Sequence, residues 1–121
     1  MSLRIDPEKP LNFAVSFESP QVAAYRFWYK LPAEPAFTIF ATGTDDASSN
    51  PSSHQHTVRA LPAGSEFAYV IFFTGNPQTT YRVVIEISQG GRVLEGGTFT
   101  LTGTTKSDGF AQENDTIQLA A

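Results

Sequence analysis

The run from Glu66 to Ser88, EFAYVIFFTGNPQTTYRVVIEIS, constrains the fold more than any other part of the chain. In its first half Phe67, Tyr69, Ile71 and Phe73 alternate with Ala68, Val70 and Phe72, so an extended strand here is apolar on both faces. Such a strand needs cover on each side and is expected in the middle of a sheet. The second half, Thr79 to Ser88, places Tyr81, Val83, Ile85 and Ile87 inward and Thr80, Arg82, Val84, Glu86 and Ser88 outward. Gly75-Asn76-Pro77 between them reads as a turn that folds the two strands back on each other.

The remaining segments follow the same two-residue period. Leu11 to Phe17 alternates Phe13, Val15 and Phe17 with Asn12, Ala14 and Ser16. Val22 to Lys30 sets Ala23, Tyr25, Phe27 and Tyr29 against Ala24, Arg26, Trp28 and Lys30, which makes the tyrosine face the core face and leaves Trp28 beside two cations. Ala36 to Thr42 alternates through Phe37, Ile39 and Ala41, with Phe40 opposite, and His54 to Leu61 is a further short strand. Gln89-Gly90-Gly91 predicts a tight hairpin turn. On the returning strand, Arg92 to Thr102, the inward set shifts across Gly96-Gly97 towards Phe99 and Leu101, which predicts a β-bulge. Residues 1–10 read as an extended lead-in, 43–53 and 103–115 as long loops, and Thr116 to Leu119 as a last short strand. No stretch of ten or more residues has helical spacing, so the chain is expected to be all-β.

Seven or eight short strands with turn signals every ~8–12 residues describe a single antiparallel β-sandwich domain spanning residues 1–121. A closed barrel is the alternative. LNFAVSF as a first strand, AAYRFWYKLPAEP as a second with its Trp and Pro-rich turn, and AFTIFATG as a third lead to HTVRALPAGSEFAYVIFF, a strand passing a Leu-Pro-Gly corner into an aromatic strand. That order resembles a fibronectin type III or immunoglobulin-like domain across about residues 11–88. The resemblance implies an immunoglobulin-like sandwich, a fold that hosts adhesion, receptor, carbohydrate-binding and linker modules alike.

Composition removes several functions. The formal charge is −4, and the eight basic residues are scattered, so no basic stripe exists for nucleic acid or an anionic membrane surface. With no cysteine there is no disulfide, thiolate metal site or thiol nucleophile. No apolar run approaches the ~20 residues of a membrane span, and MSLRIDPEKP has no signal-peptide apolar region. A secreted, surface or cytoplasmic location is open. No Gly-x-Ser-x-Gly, phosphate-cradling glycine loop or placeable pair of carboxylates supports catalysis, and a non-enzymatic role is expected.

Three groups of residues remain as candidates. His54-Gln55-His56 would put two imidazoles on one strand face, a pair that a metal could use, but Glu66 is ten residues further on; two surface histidines beside a loop is the plainer reading. Asp45 and Asp46, with Ser48, Ser49 and Asn50, offer oxygen ligands suited to calcium without EF-hand spacing, and Asp108, Glu113 and Asp115 form a second acidic group in the other loop. Solvated turn residues are the plainer reading of both. Trp28 with Arg26 and Tyr29 is a platform for a sugar ring or protein partner, unless core packing or stacking by Arg26 occupies the indole.

A binding module is therefore expected, with carbohydrate as the leading ligand, held at the loops 43–56 and 103–115 by Trp28, Arg26, Tyr29, Asp45, Asp46 and Asn50. No cofactor is expected, calcium excepted. One alternative is a protein-interaction or structural domain that forms a homo-oligomer through the face of Ala68, Val70 and Phe72. Another is a small metal-dependent enzyme using His54 and His56.

Overall fold

Alternation of apolar and polar residues, with no helical period anywhere, resolves in a computed structural model into strands alone. The structure describes residues 2–18, 22–45 and 52–121. Nine strands are present among them: β1 (Ser2–Arg4), β2 (Leu11–Phe17), β3 (Val22–Lys30), β4 (Thr38–Asp45), β5 (Ser52–Val58), β6 (Glu66–Thr74), β7 (Thr80–Gln89), β8 (Arg92–Thr104) and β9 (Phe110–Ala120). They form a five-stranded sheet in the order β1-β9-β6-β3-β4 and a four-stranded sheet in the order β5-β2-β7-β8. Every pairing is antiparallel except β1 with β9.

The inward set of each strand builds one core between the sheets. Phe13, Phe17, Phe27, Phe67 and Phe73 are fully buried there, with Val15, Ile71, Val83, Ile85 and Ile87 around them. Phe13 is the hub of the aromatic packing, with ring centroids 4.6 Å from Phe67, 5.1 Å from Phe40 and 6.1 Å from Phe27. The alternation in β2, β3, β6 and β7 thus places the side chains as expected.

Strand partnership departs from expectation in one major respect. β6 and β7 are not a hairpin: β6 lies between β3 and β9, whereas β7 lies in the other sheet between β2 and β8. The turn-forming residues at 75–79 reverse the chain direction and also carry it from one sheet to the other. This crossing is braced by the β8–β9 connection, through Gly75 N to Gly109 O at 3.1 Å and Gln78 N to Lys106 O at 3.2 Å. Thr105 adds to the brace: its Oγ1 donates to Asn76 O at 2.7 Å and accepts from Thr79 N at 2.9 Å.

Other expectations change with it. Among the described residues there are nine strands rather than seven or eight, because the lead-in supplies β1 and because most of the expected 103–115 loop is β9; only 105–109 connects β8 to β9. The 43–56 loop contracts as well, since Gly43–Asp45 belong to β4 and Ser52–His56 to β5. The β7–β8 hairpin does turn at Gly90 and Gly91, with φ of 58° and 79°. The bulge is also present: Glu86 pairs with Thr98 but Ser88 pairs with Val93, so the segment 94–97 stands opposite Ile87 alone. A Cβ on Gly97 would meet the carbonyl oxygens of Ile87 and Leu94 at 2.9 Å, so the bulge needs glycine there.

Candidate functional site

The edge between the sheets where β4 meets β5 gathers four titratable side chains. Tyr25 in β3 stands opposite Gly43 in β4, and a Cβ on Gly43 would overlap the Tyr25 phenol. The missing side chain lets the ring lie across β4 towards β5, where the Tyr25 hydroxyl is 2.5 Å from Nε2 of His56. His54 and His56 pair with Val15 and Phe13 in β2, so both imidazoles point between the sheets. The reading of them as surface histidines beside a loop is therefore corrected: β5 has an inward face, and they are on it. His54 Nε2 lies 3.2 Å from Oδ2 of Asp45, whose side chain is almost fully buried. Phe17 closes the group, its ring centroid 5.8 Å from Tyr25 and 6.0 Å from His54.

Burial governs the electrostatics here. It holds the His56 pKa below its ordinary value, with the neighbouring charge of His54 adding to the effect. It raises the Tyr25 phenol, with Asp45 contributing. Both effects favour a neutral imidazole and a neutral phenol, which form a hydrogen bond without charge. Asp45 and His54 come together and His56 turns to Tyr25. Among the described residues, no group of three or more His, Asp or Glu side chains is placed to hold a metal ion.

The calcium candidates separate. Asp45 is engaged by His54 at the margin of β4, while β9, which carries Glu113 and Asp115, is two strands away beyond β3 and β6. Asp108 accepts from Phe110 N at 3.0 Å within its own turn. Glu113 accepts a short hydrogen bond from the Tyr81 hydroxyl. Asp46 and Asn50 lie outside the described residues.

Trp28 and Arg26 occupy a different surface, the outer face of the five-stranded sheet. Tyr29, the next residue, points the other way; it packs on the core beside Phe40 and carries Arg59 at 5.8 Å from its ring centre. The residues expected to act as one ligand site are thus split between opposite faces of β3. A bulge in β4 shapes the outer face: Phe27 pairs with Ala41 but Trp28 pairs with Ile39, and the extra residue, Phe40, packs against the core. The alternation expected for Phe37, Ile39 and Ala41 is broken at that point, and Ile39 turns outward beside Trp28.

Strand register then orders the outer face in rows. Ile39, Trp28, Ala68 and Thr116 form one row, and Thr42, Arg26, Val70 and Asn114 the next. Beyond them run Thr44, Ala24, Phe72 and Gln112, then Val22, Thr74 and Phe110. Val22, Ile39, Phe72 and Phe110 are 44–55% exposed. The outer face of the other sheet is instead hydroxylic, with Ser16, Ser53, Thr57, Thr98, Thr100 and Thr102. Trp28 is partly buried; among the described residues it makes no aromatic ring contact, Arg26 does not stack on it, and it is not among the side chains packed on the core. In the sequence, the bulge that brings Ile39 to the side of Trp28 left no mark beyond the pair Ile39-Phe40.

No protein-family model matches this chain, and no curated protein matches it. Among solved structures, the crystal structure of a DUF4425 domain of unknown function from Bacteroides vulgatus superposes with a TM-score of 0.57. The match covers 96% of this chain and 99% of that one, at 5% sequence identity. The likeness is one of fold alone. The alignment spans nearly the whole of both chains.

A groove of about 490 Å³ runs beside Thr80, Tyr81, Arg82, Thr102 and Thr104. Glu18 and Arg82 form an ion pair on its rim, and the Tyr81 hydroxyl is committed to Glu113, so its charged and phenolic groups are already partnered.

Proposed function

We propose that this domain is a non-enzymatic binding module that takes carbohydrate on the outer face of its five-stranded sheet, with Trp28 as the platform. The observation that carries this reading is the outward indole, free of ring and cation contacts among the described residues and bordered by Arg26, Thr42, Asn114 and Thr116. An indole face receives the apolar face of a sugar ring while neighbouring amide and hydroxyl groups meet its hydroxyls. The surface is a sheet face, not the loops. A glycan array with wild type and Trp28→Ala tests it. Selective binding that Trp28→Ala abolishes is expected, and a flat array at high protein concentration overturns it.

The fold is read more finely as immunoglobulin-like. The order β9-β6-β3-β4 with its β3–β4 hairpin corresponds to G-F-C-C′, and β2 beside β5 to B and E. The hairpin β7–β8 is then an addition between F and G that extends the second sheet past β2.

A second reading rests on one corner of the same face, where Val22, Phe72 and Phe110 are exposed together. Contiguous exposed apolar side chains mark protein contacts. On this reading the domain self-associates through Ala68, Val70 and Phe72.

A further inference from the structure

The charge on the outer face of the five-stranded sheet is opposite to that of the rest of the molecule. Its described strand residues include three cations, Arg4, Arg26 and Lys30, and one carboxylate, Glu66, a net of +2 on a chain of −4, which leaves −6 elsewhere. Lys30 and Glu66 neutralise each other at 3.3 Å. Arg26 has no carboxylate partner among the described residues, and it is exposed in the row adjoining Trp28, between Thr42 and Val70. Every other outward residue of β9 from Gln112 to Gln118 is an uncharged hydrogen-bonding side chain: Gln112, Asn114, Thr116 and Gln118. A guanidinium with no carboxylate partner among the described residues presents two parallel N–H groups whose natural complement is a carboxylate.

Arg26 and Trp28 project from the same face two residues apart, about 6.6–6.8 Å along the strand. That separation suits one pyranose ring stacked on the indole with the carboxylate on its C5 directed to the guanidinium. A neutral sugar would use the indole and leave the guanidinium hydrated. A second copy of this chain is disfavoured as the occupant of this patch, because a two-fold contact centred on it would bring Arg26 against its own copy.

We infer that the ligand is an acidic glycan, a polymer carrying uronate residues, with Trp28 stacking the ring and Arg26 holding its carboxylate. The inference rests on the carbohydrate reading of this face and adds the charge of the ligand to it. The remaining outward groups, Asn114 and Thr116 on β9 and Thr42 on β4, flank the two and meet ring hydroxyls.

Affinity electrophoresis of the full chain at about 0.15 M salt tests this with a polyuronate, a neutral glucan and dextran sulfate as probes, using wild type, Arg26→Gln and Trp28→Ala. Wild type is expected to favour the polyuronate. Arg26→Gln is expected to lose roughly ten- to a hundredfold in affinity for it, a loss not matched for the neutral glucan, whereas Trp28→Ala weakens both. Thermal melting checks that both variants fold. Equal binding of polyuronate and neutral glucan overturns the inference and leaves the Trp28 platform standing. Dextran sulfate bound as tightly as the polyuronate also overturns it, since carboxylate recognition would then be mere attraction of polyanions. Binding to none of the three overturns both readings.

Discussion

The hydroxyl of Tyr25 and Nε2 of His56 meet at 2.5 Å across the gap between the two sheets, joining β3 to β5 where backbone pairing cannot. The contact exists because Gly43 leaves the space that the phenol crosses. Burial keeps His56 neutral at a pH where a free imidazole is partly charged, and the charge of His54 acts in the same direction.

That neutrality ties stability to pH. The folded pKa of His56 lies below the ordinary value of 6.5, so as pH falls the unfolded chain takes up the proton first. This contribution is complete above pH 6.5 and is lost as pH falls through the folded value. Urea midpoints should therefore decline from about pH 7.5 to 5. His56→Gln should show a shallower decline, and at neutral pH it should cost about 1 kcal/mol for the lost hydrogen bond. The same pH slope in both proteins would rule the His56 contribution out.

Gly43 and Gly109 should differ when each is changed to Ala. At Gly43 the obstacle is the Tyr25 ring, which can swing aside at the expense of its bond to His56, so a loss of about 1–3 kcal/mol is expected. At Gly109 the obstacle is the backbone carbonyl of Gly75, and φ is +83°. Both the contact and the left-handed conformation oppose a side chain, so Gly109→Ala should be the costlier of the two by more than about 1 kcal/mol. Tyr25→Leu should remove most of the Gly43→Ala penalty in a double-mutant cycle and none of the Gly109→Ala penalty. Equal thermal shifts for the two glycine variants would contradict the different origins assigned to them.

At high pH the opposite edge of the sandwich sets the limit. Burial, the hydrogen bond to Glu113 and the charge of Glu113 push Tyr81 up to about 12, while burial and the charges of Asp115 and Glu113 push Tyr69 to about 12. Because the folded values exceed 10, the stabilisation is complete below pH 10 and is lost as pH rises through about 12. Alkaline titration followed by phenolate absorbance should show these tyrosines ionising together with unfolding. Glu113→Gln should bring Tyr81 down only in part, since burial against Phe73, stacked at 4.2 Å, persists. A Tyr81 in Glu113→Gln that titrates like free tyrosine would show that Glu113, and not burial, is the main cause.

Alternation made the facing of β2, β3, β6 and β7 legible, because one side of each is buried along most of its length and its side chains keep a period of two. Which strands pair was less legible. Gly75-Asn76-Pro77 supports a reversal within one sheet or a passage between sheets, and the choice is made by contacts distant in sequence, such as Thr105 on Asn76. Strand β9 was hidden because its inward positions Glu113 and Asp115 are carboxylates at an open edge, and only Ile117 and Leu119 carry a buried signal. Of the candidate site, Trp28 and Arg26 were legible as neighbours on one face. The Tyr25–His56 contact was not, since it depends on two strands from different sheets and on the absence of a side chain at Gly43.

Adjacent residues Phe72 and Phe73 separate core from surface on β6, and their variants should behave in opposite ways. Phe73 is fully buried and stacked on Tyr81, so Phe73→Ala should cost about 3–5 kcal/mol. Phe72 is 46% exposed on the outer face, so Phe72→Ser should shift stability by less than about 1 kcal/mol. If the corner of Val22, Phe72 and Phe110 is a contact between copies, light scattering should find wild type self-associated at concentrations where Phe72→Ser is monomeric. A wild type that stays monomeric across the micromolar range removes the self-association reading and leaves the face to its ligand, because the same exposed ring would then be solvated in the free protein and available to cover part of a bound chain.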